Sequence, residues 1–231
     1  MTTQGESRLH RRTGQLIMII ALGSICGLIE VVLSGALRAT DFPWRVGVLI
    51  GLGFGIVGFA LAIHRQPVMA LWIALVAVLV KQMTVPLLGV SIMCKANSCL
   101  AVGIEYAALA GVSALTMRKM AARGPWRSLT GGAAALIASL AFLWIGRHVA
   151  PCTYLLSFGQ TGGFVSYLHQ ESLNWVVFSA VLFPIGWSAG TRSEAALVRR
   201  FEETPRVAYA GAFSLTVLCW TASALAIAGG M

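Results

Sequence analysis

Charge is scarce in this chain. Of its 231 residues only 11% are Asp, Glu, Lys or Arg, and eight are acidic. A soluble domain carries roughly a quarter of its residues as charges, so the composition excludes a water-soluble enzyme or binding domain. Other signatures are missing as well. No G-x-x-x-x-G-K-[ST] loop is present to cradle phosphates. The five cysteines and four histidines fall at no spacing that matches a metal-ligand pattern. No nucleophile stands at an interpretable spacing from a base, and low-complexity tracts and convincing internal repeats are absent. The sequence therefore assigns no catalytic residue, no metal and no cofactor.

What the chain does contain is hydrocarbon. Hydrophobic residues make up 58% of it, and its mean hydropathy is +0.81. A helix needs about 20 mainly apolar residues to cross a bilayer. Seven such runs can be placed, at roughly 14–35, 46–63, 68–91, 98–117, 129–147, 173–190 and 207–228. The expected fold is all-α: a polytopic transmembrane helical bundle of seven spans, with six as the alternative. Residues 1–13 form a basic N-terminal segment, and residues 14–231 form one bundle. The first run exceeds a signal-peptide core of about 7–15 residues and no A-x-A site closes it, so it reads as a retained span.

The net charge of +9 would suit nucleic acid only if the basic residues gathered on a soluble face. They lie instead in short segments between apolar runs, where they report topology. With the N-terminus in the cytoplasm, the inner segments hold Arg8, Arg11, Arg12, Arg65, Arg118, Lys119, Arg123, Arg127, Arg192, Arg199, Arg200 and Arg206. The outer ones hold only Arg38, Arg45, Lys95 and Arg147. That bias fits the positive-inside rule and a prokaryotic cytoplasmic (inner) membrane. Trp44, Trp144 and Trp175 fall near outer ends of spans and Trp72, Trp126 and Trp187 near inner ends, as an aromatic belt requires.

One basic residue remains. Lys81, in "VLVKQMTVP", interrupts the third run, and a charge at the bilayer centre costs about 2.5–3.5 kcal/mol or more. It needs a partner, a water-filled cavity or a function. Two acids also interrupt spans, Glu30 in "CGLIEVVLSG" and Glu105 in "LAVGIEYAAL". At 1.5 Å rise per residue, Glu30 lies about 24 Å and Lys81 about 20 Å from the inner ends of their spans, and Glu105 about 10 Å below an outer end. All three fall at one level, between the midplane and the outer face. Two carboxyl groups around one ammonium either share the lysine or leave one acid holding its proton. The trio then has two readings: an ion network that fixes helix packing, or the wall of an outward-facing site for a polar ligand, with Gln82 and Asn97 as further candidates. Pro86 is expected to weaken the helix above Lys81 and free a carbonyl there.

The outer loop "CKANSC" places Cys94 and Cys99 where an oxidising compartment would let them close a small disulfide. A redox or metal role shared with Cys152, His148 or His169 is the weaker alternative. The segment 148–172 is the longest connection and reads either as a lid or as a short helix covering the bundle. Glycines recur at helical spacing, as Gly23 and Gly27, then Gly47, Gly51 and Gly55, which marks faces of close helix approach.

The segments "GSICGLIEVVLSG", "VLVKQMTVPLLG" and "ANSCLAVGIEYAALAG" resemble a family of prokaryotic membrane proteins with a G-x-x-x-G-[LIT]-x-E motif in helix one, a membrane lysine in helix three and an acid in helix four. The likeness spans roughly residues 14–117. That family is similar in size and hydropathy to the substrate-binding S components of energy-coupling factor (ECF) transporters. The resemblance implies capture of a small molecule from the outer side, at a pocket containing Glu30, Lys81 and Glu105. It also implies that Gly23 and Gly27 dock a transmembrane coupling subunit, with an ATPase as a further partner. The chain departs from that pattern in its seventh span and in beginning Met-Thr-Thr, without the Met-His start of the cobalt and nickel components. The competing expectation is a structural or assembly subunit of a membrane complex; a membrane thiol oxidoreductase ranks last.

Overall fold

The computed structural model describes residues 3–89, 91, 96–149, 151, 153–160 and 162–230. Among them every regular element is a helix. Seven helical segments are long and apolar enough to cross a membrane: Thr13–Ala39, Arg45–His64, Met69–Leu88, Ala96–Ala122, Pro125–Val149, Gly163–Phe201 and Pro205–Ala228. Each coincides with one of the seven apolar runs.

In the first crossing, α1 (Thr3–Leu28) passes through a π turn at Ile29–Leu33 into α2 (Ser34–Ala39). The second is α3 (Arg45–His64), stopped by Arg65 in a left-handed conformation. The third is interrupted: α4 (Met69–Lys81) ends at the lysine, and α5 (Thr84–Leu88) resumes after a turn. The fourth and fifth, α6 (Ala96–Ala122) and α7 (Pro125–Val149), form an antiparallel hairpin tied by a hydroxyl bond from Thr130 to Thr116 at 2.9 Å. After α8 (Thr153–Ser157), the sixth crossing runs from α9 (Gly163–Tyr167) through a second π turn at Leu168–Ser172 into α10 (Leu173–Glu203). The seventh is α11 (Pro205–Ala228).

Among the described residues of segment 148–172, Thr153–Ser157, Gly163–Tyr167 and Leu168–Ser172 are helical. Leu155, Phe158 and Tyr167 are buried, and the Tyr167 hydroxyl donates to the carbonyl of Ser139 at 3.0 Å. Within "TYLLSF" the residues Thr153–Ser157 form a short helix, while His169 and Gln170 stay exposed. The sixth crossing starts before residue 173 because nothing between Gly163 and Leu173 breaks a helix. Ala150, Cys152 and Thr161 lie outside the described residues.

Lipid supplies little hydrophobic drive between helices, so association rests on close packing and interhelical hydrogen bonds. Glycines provide the packing. Gly47, Gly51, Gly55 and Gly58 of α3 face Asn174, Phe178, Leu182 and Phe183 of α10, and Gly186 and Gly190 of α10 press against the backbone of Gly55 and Phe59. The matched numbering shows that α3 and α10 run parallel. A second parallel pair is α1 with α4, where Gly23 meets Val76 and Gly27 meets Val80. A third is α1 with α11, joined by a bond from Trp220 Nε1 to Ser24 Oγ at 2.9 Å. α10 also packs on α7, and α6 bridges α7 to α4. The junction of α1, α4 and α6 is where the three membrane charges lie.

Any Cβ added at Gly186 meets the Gly55 carbonyl and its backbone carbon atoms, whereas one at Gly103 meets nothing within 4 Å. Gly186→Ala is expected to destabilise the bundle by about 1–3 kcal/mol through overpacking. Gly103→Ala should be neutral or stabilising by up to about 1 kcal/mol. Unfolding curves of the two variants in mild detergent check the contrast.

Candidate functional site

The α1–α4 interface is a track of small residues that ends in a charge pair. Gly23 and Gly27 bring the two backbones together; a Cβ at either would stand 2.5 Å from the Cβ of Val76 or Val80. One turn beyond Gly27 comes Glu30, and one residue beyond Val80 comes Lys81. Lys81 Nζ donates to Glu30 Oε2 at 2.6 Å. Charge-assisted bonds of this length are among the stronger hydrogen bonds in proteins.

Both partners sit where a helix departs from regular form. Glu30 belongs to the first π turn, in which the Ser34 N–H reaches the Ile29 carbonyl five residues back. Such turns recur at functional sites. Lys81 closes α4, and the partial negative charge of a helix C-terminus favours a cation there. Pro86 acts as expected in breaking the span, but it opens no carbonyl. The Gln82 carbonyl that a proline at 86 would orphan accepts from the Val85 N–H at 3.0 Å. The Lys81 carbonyl accepts from Thr84 Oγ1 at 3.2 Å. The break is satisfied locally because the chain shifts to three-residue spacing across Gln82–Met83.

Glu105 joins the pair from α6. It is 4% exposed and Lys81 is 8% exposed, and Glu105 interacts electrostatically with both Glu30 and Lys81. Its carboxyl forms no hydrogen bond or ion pair with a described residue. The structure therefore brings the three residues into one cluster while giving the lysine's direct bond to only one acid. Fully ionised, the cluster would carry one net negative charge; a single proton or a bound cationic group makes it neutral.

Two further side chains complete the cluster, and sequence reading had assigned neither of them a role there. Tyr106 is next to Glu105 on α6, and Cys26 lies on α1. Cys26 lies four residues before Glu30, hence on the same helix face, and both it and Tyr106 are buried. The tyrosine hydroxyl has room because Gly53 of α3 has no side chain; a Cβ there would lie 2.7 Å from it. The i, i+4 relation of Cys26 to Glu30 was readable, but the contribution of α3 was not.

The remaining candidates are spread around this core. Gln82 Nε2 bonds Cys99 Sγ at 3.2 Å, and the Gln82 side-chain oxygen is buried with no hydrogen-bond partner among the described residues. Asn97 lies in the first turn of α6. Cys94 is outside the described residues, and with it the expected Cys94–Cys99 clamp. Gly23 and Gly27 are covered by α4 of the same chain, so the face expected to receive a coupling subunit is occupied intramolecularly. Among the described residues no three His, Cys, Asp or Glu side chains converge as a metal site.

The chain matches no family model, no curated protein and no solved structure. The cluster is enclosed by α11 as well, since Ala226 and Ile227 pack on Val31 beside Glu30, with Met83 against the same group. A pair so enclosed couples α1 to α4 electrostatically as well as sterically.

Lys81→Met leaves the buried Glu105 and the half-buried Glu30 without a base and is expected to cost about 3–5 kcal/mol. Adding Glu30→Gln to Lys81→Met should recover all but about 1 kcal/mol of that loss, because replacing both members of a buried pair is often close to neutral. A double-mutant cycle on detergent unfolding checks this. Additive losses would mean that the pair does not contribute as a pair.

Proposed function

We propose that this multi-pass membrane protein is the substrate-binding subunit of a small-molecule uptake system, similar in role to an ECF S component. On this reading a polar, outward-facing site is built on Glu30, Lys81 and Glu105. One observation carries it. Lys81 already has Glu30, yet a second acid, Glu105, is buried in the same cluster without a bonded partner among the described residues. A network kept for packing alone would balance with one acid per base. The extra acid suits a group that receives a proton or the cationic part of a ligand. The π turn under Glu30 and the helix break after Lys81 support the reading, because irregular backbone at membrane depth is tolerated where it lines a cavity or is buried in protein.

Gln82 belongs to the same proposal through its unpartnered buried oxygen. So do the cytoplasmic N-terminus, the prokaryotic inner membrane, and a coupling subunit with its ATPase. Because α4 covers Gly23 and Gly27, a coupling subunit would meet another face of the bundle.

A second reading has its own support. The Lys81–Glu30 bond is short, closed and shielded by α11, which is what a structural or assembly subunit of a membrane complex would need. The two readings part at Glu105. Native mass spectrometry of gently solubilised wild type is expected to retain a small-molecule adduct. Glu105→Gln should lose most of it, by about tenfold or more if one buried charged contact worth about 2 kcal/mol is removed, with helical content unchanged by circular dichroism. A wild-type protein free of adduct, co-purifying with a stable partner and indifferent to Glu105→Gln, would instead be the assembly subunit.

A further inference from the structure

The other end of the bundle carries a different kind of site. α6 ends at Ala122, α7 begins at Pro125, and the elbow between them holds an open hollow of ≈ 360 Å³ lined by Arg118, Lys119, Ala122, Arg123 and Trp126. Arg118, Lys119 and Arg123 are exposed. None of the three forms an ion pair with a described residue. No acidic residue occurs in the sequence between Glu105 and Glu171, so neither α6 beyond Glu105 nor α7 supplies a neutralising charge.

The elbow is braced. Arg127 Nε donates to the Met120 carbonyl at 3.0 Å, which fastens the start of α7 to the end of α6. The Lys119 ammonium stands 4.2 Å above the Trp126 ring, a cation–π contact that fixes its position. Arg127 in turn lies over the buried Trp187 ring at 5.6 Å. Lys119 is thus fixed beside a hollow that Arg118 and Arg123 also line, at the level where the helices leave the hydrocarbon.

Immediately deeper the surface turns apolar. Leu115, one turn before Lys119 on the same face, is 84% exposed, and Leu129, one turn after Trp126, is 56% exposed. Cationic hollow, interfacial tryptophan and exposed leucines follow one another along the bilayer normal. A soluble phosphate would use only the first of these; a phospholipid uses all three.

We propose that the α6–α7 elbow is a binding site for an anionic phospholipid, its phosphate headgroup held by Arg118, Lys119 and Arg123 and its acyl chains lying along Leu115 and Leu129. Basic pockets at this depth bind acidic headgroups in membrane proteins generally. The site is independent of the Glu30–Lys81–Glu105 cluster and stands whether or not that cluster binds a ligand.

The test is native mass spectrometry of the full chain titrated with phosphatidylglycerol or phosphatidylcholine of identical acyl chains. Each basic side chain near an anionic headgroup contributes roughly fivefold, so wild type is expected to retain phosphatidylglycerol at least about tenfold better. Arg118→Ala with Lys119→Ala and Arg123→Ala should bring that preference below about twofold, whereas Arg118→Lys with Arg123→Lys should keep it, since both variants change only exposed side chains. Equal retention of the two lipids by wild type would overturn the proposal without any variant. Persistence of the preference in the triple alanine variant would overturn it as well. Displacement of phosphatidylglycerol by millimolar glycerol phosphate would show a soluble-anion site instead.

Discussion

An ammonium group in hydrocarbon must be neutralised where it stands, and much of this bundle is arranged around that requirement. Lys81 is met by Glu30 at 2.6 Å. That contact requires α1 and α4 to lie almost backbone to backbone, which Gly23 and Gly27 permit. It requires a carboxyl displaced from the regular helical path, which the π turn provides. It also requires exclusion of lipid from the pair, which α6 and the end of α11 accomplish from two sides. Changing the lysine would remove the reason for each of these features.

Glycine plays a second, purely steric part between α3 and α10. There the contact is continuous from Gly47 to Gly190, and the two helices meet over most of the membrane thickness without a charge pair. α10 runs on to Glu203 and is 31 residues long, or about 46 Å. That exceeds a hydrocarbon core of about 30 Å, so its last turns emerge beyond it, carrying Arg192, Arg199 and Arg200. The structure thus combines a closely packed half built on α3, α7 and α10 with a half built on α1, α4 and α11 that carries the ionisable cluster. α6 belongs to both.

Much of this was legible in the residues. Apolar run length located all seven crossings, because a bilayer imposes one length on every span. Depth counting placed Glu30, Lys81 and Glu105 at one level, since helical rise converts position into height. Azimuth is what rise cannot supply. Which side of α1 faces α4, and hence that Gly23 and Gly27 are used within the chain, depends on helix rotation set by distant contacts. The π turn at Ile29–Leu33 is invisible for the same reason: Ile29, Val31, Val32 and Leu33 are ordinary helix residues in a span, and only tertiary packing adds the extra residue to the turn. The role of Gly53 in seating Tyr106 is a contact between non-adjacent spans, and no periodicity announces it. The basic elbow was counted only as topology, because Lys119 and Trp126 become a pair only once the hairpin closes.

The parallel pairing of α1 with α4 also bears on how the chain is made. Glu30 and Lys81 are 51 residues apart, and the second crossing must be completed between them. At a synthesis rate of about 5–20 residues per second, Glu30 precedes its lysine by roughly 3–10 s. During that interval the first span carries an acid with no base in the membrane. The last span comes later still, and its arrival over Val31 closes the pair off. The Lys81–Glu30 contact can therefore form only once the third crossing has been made.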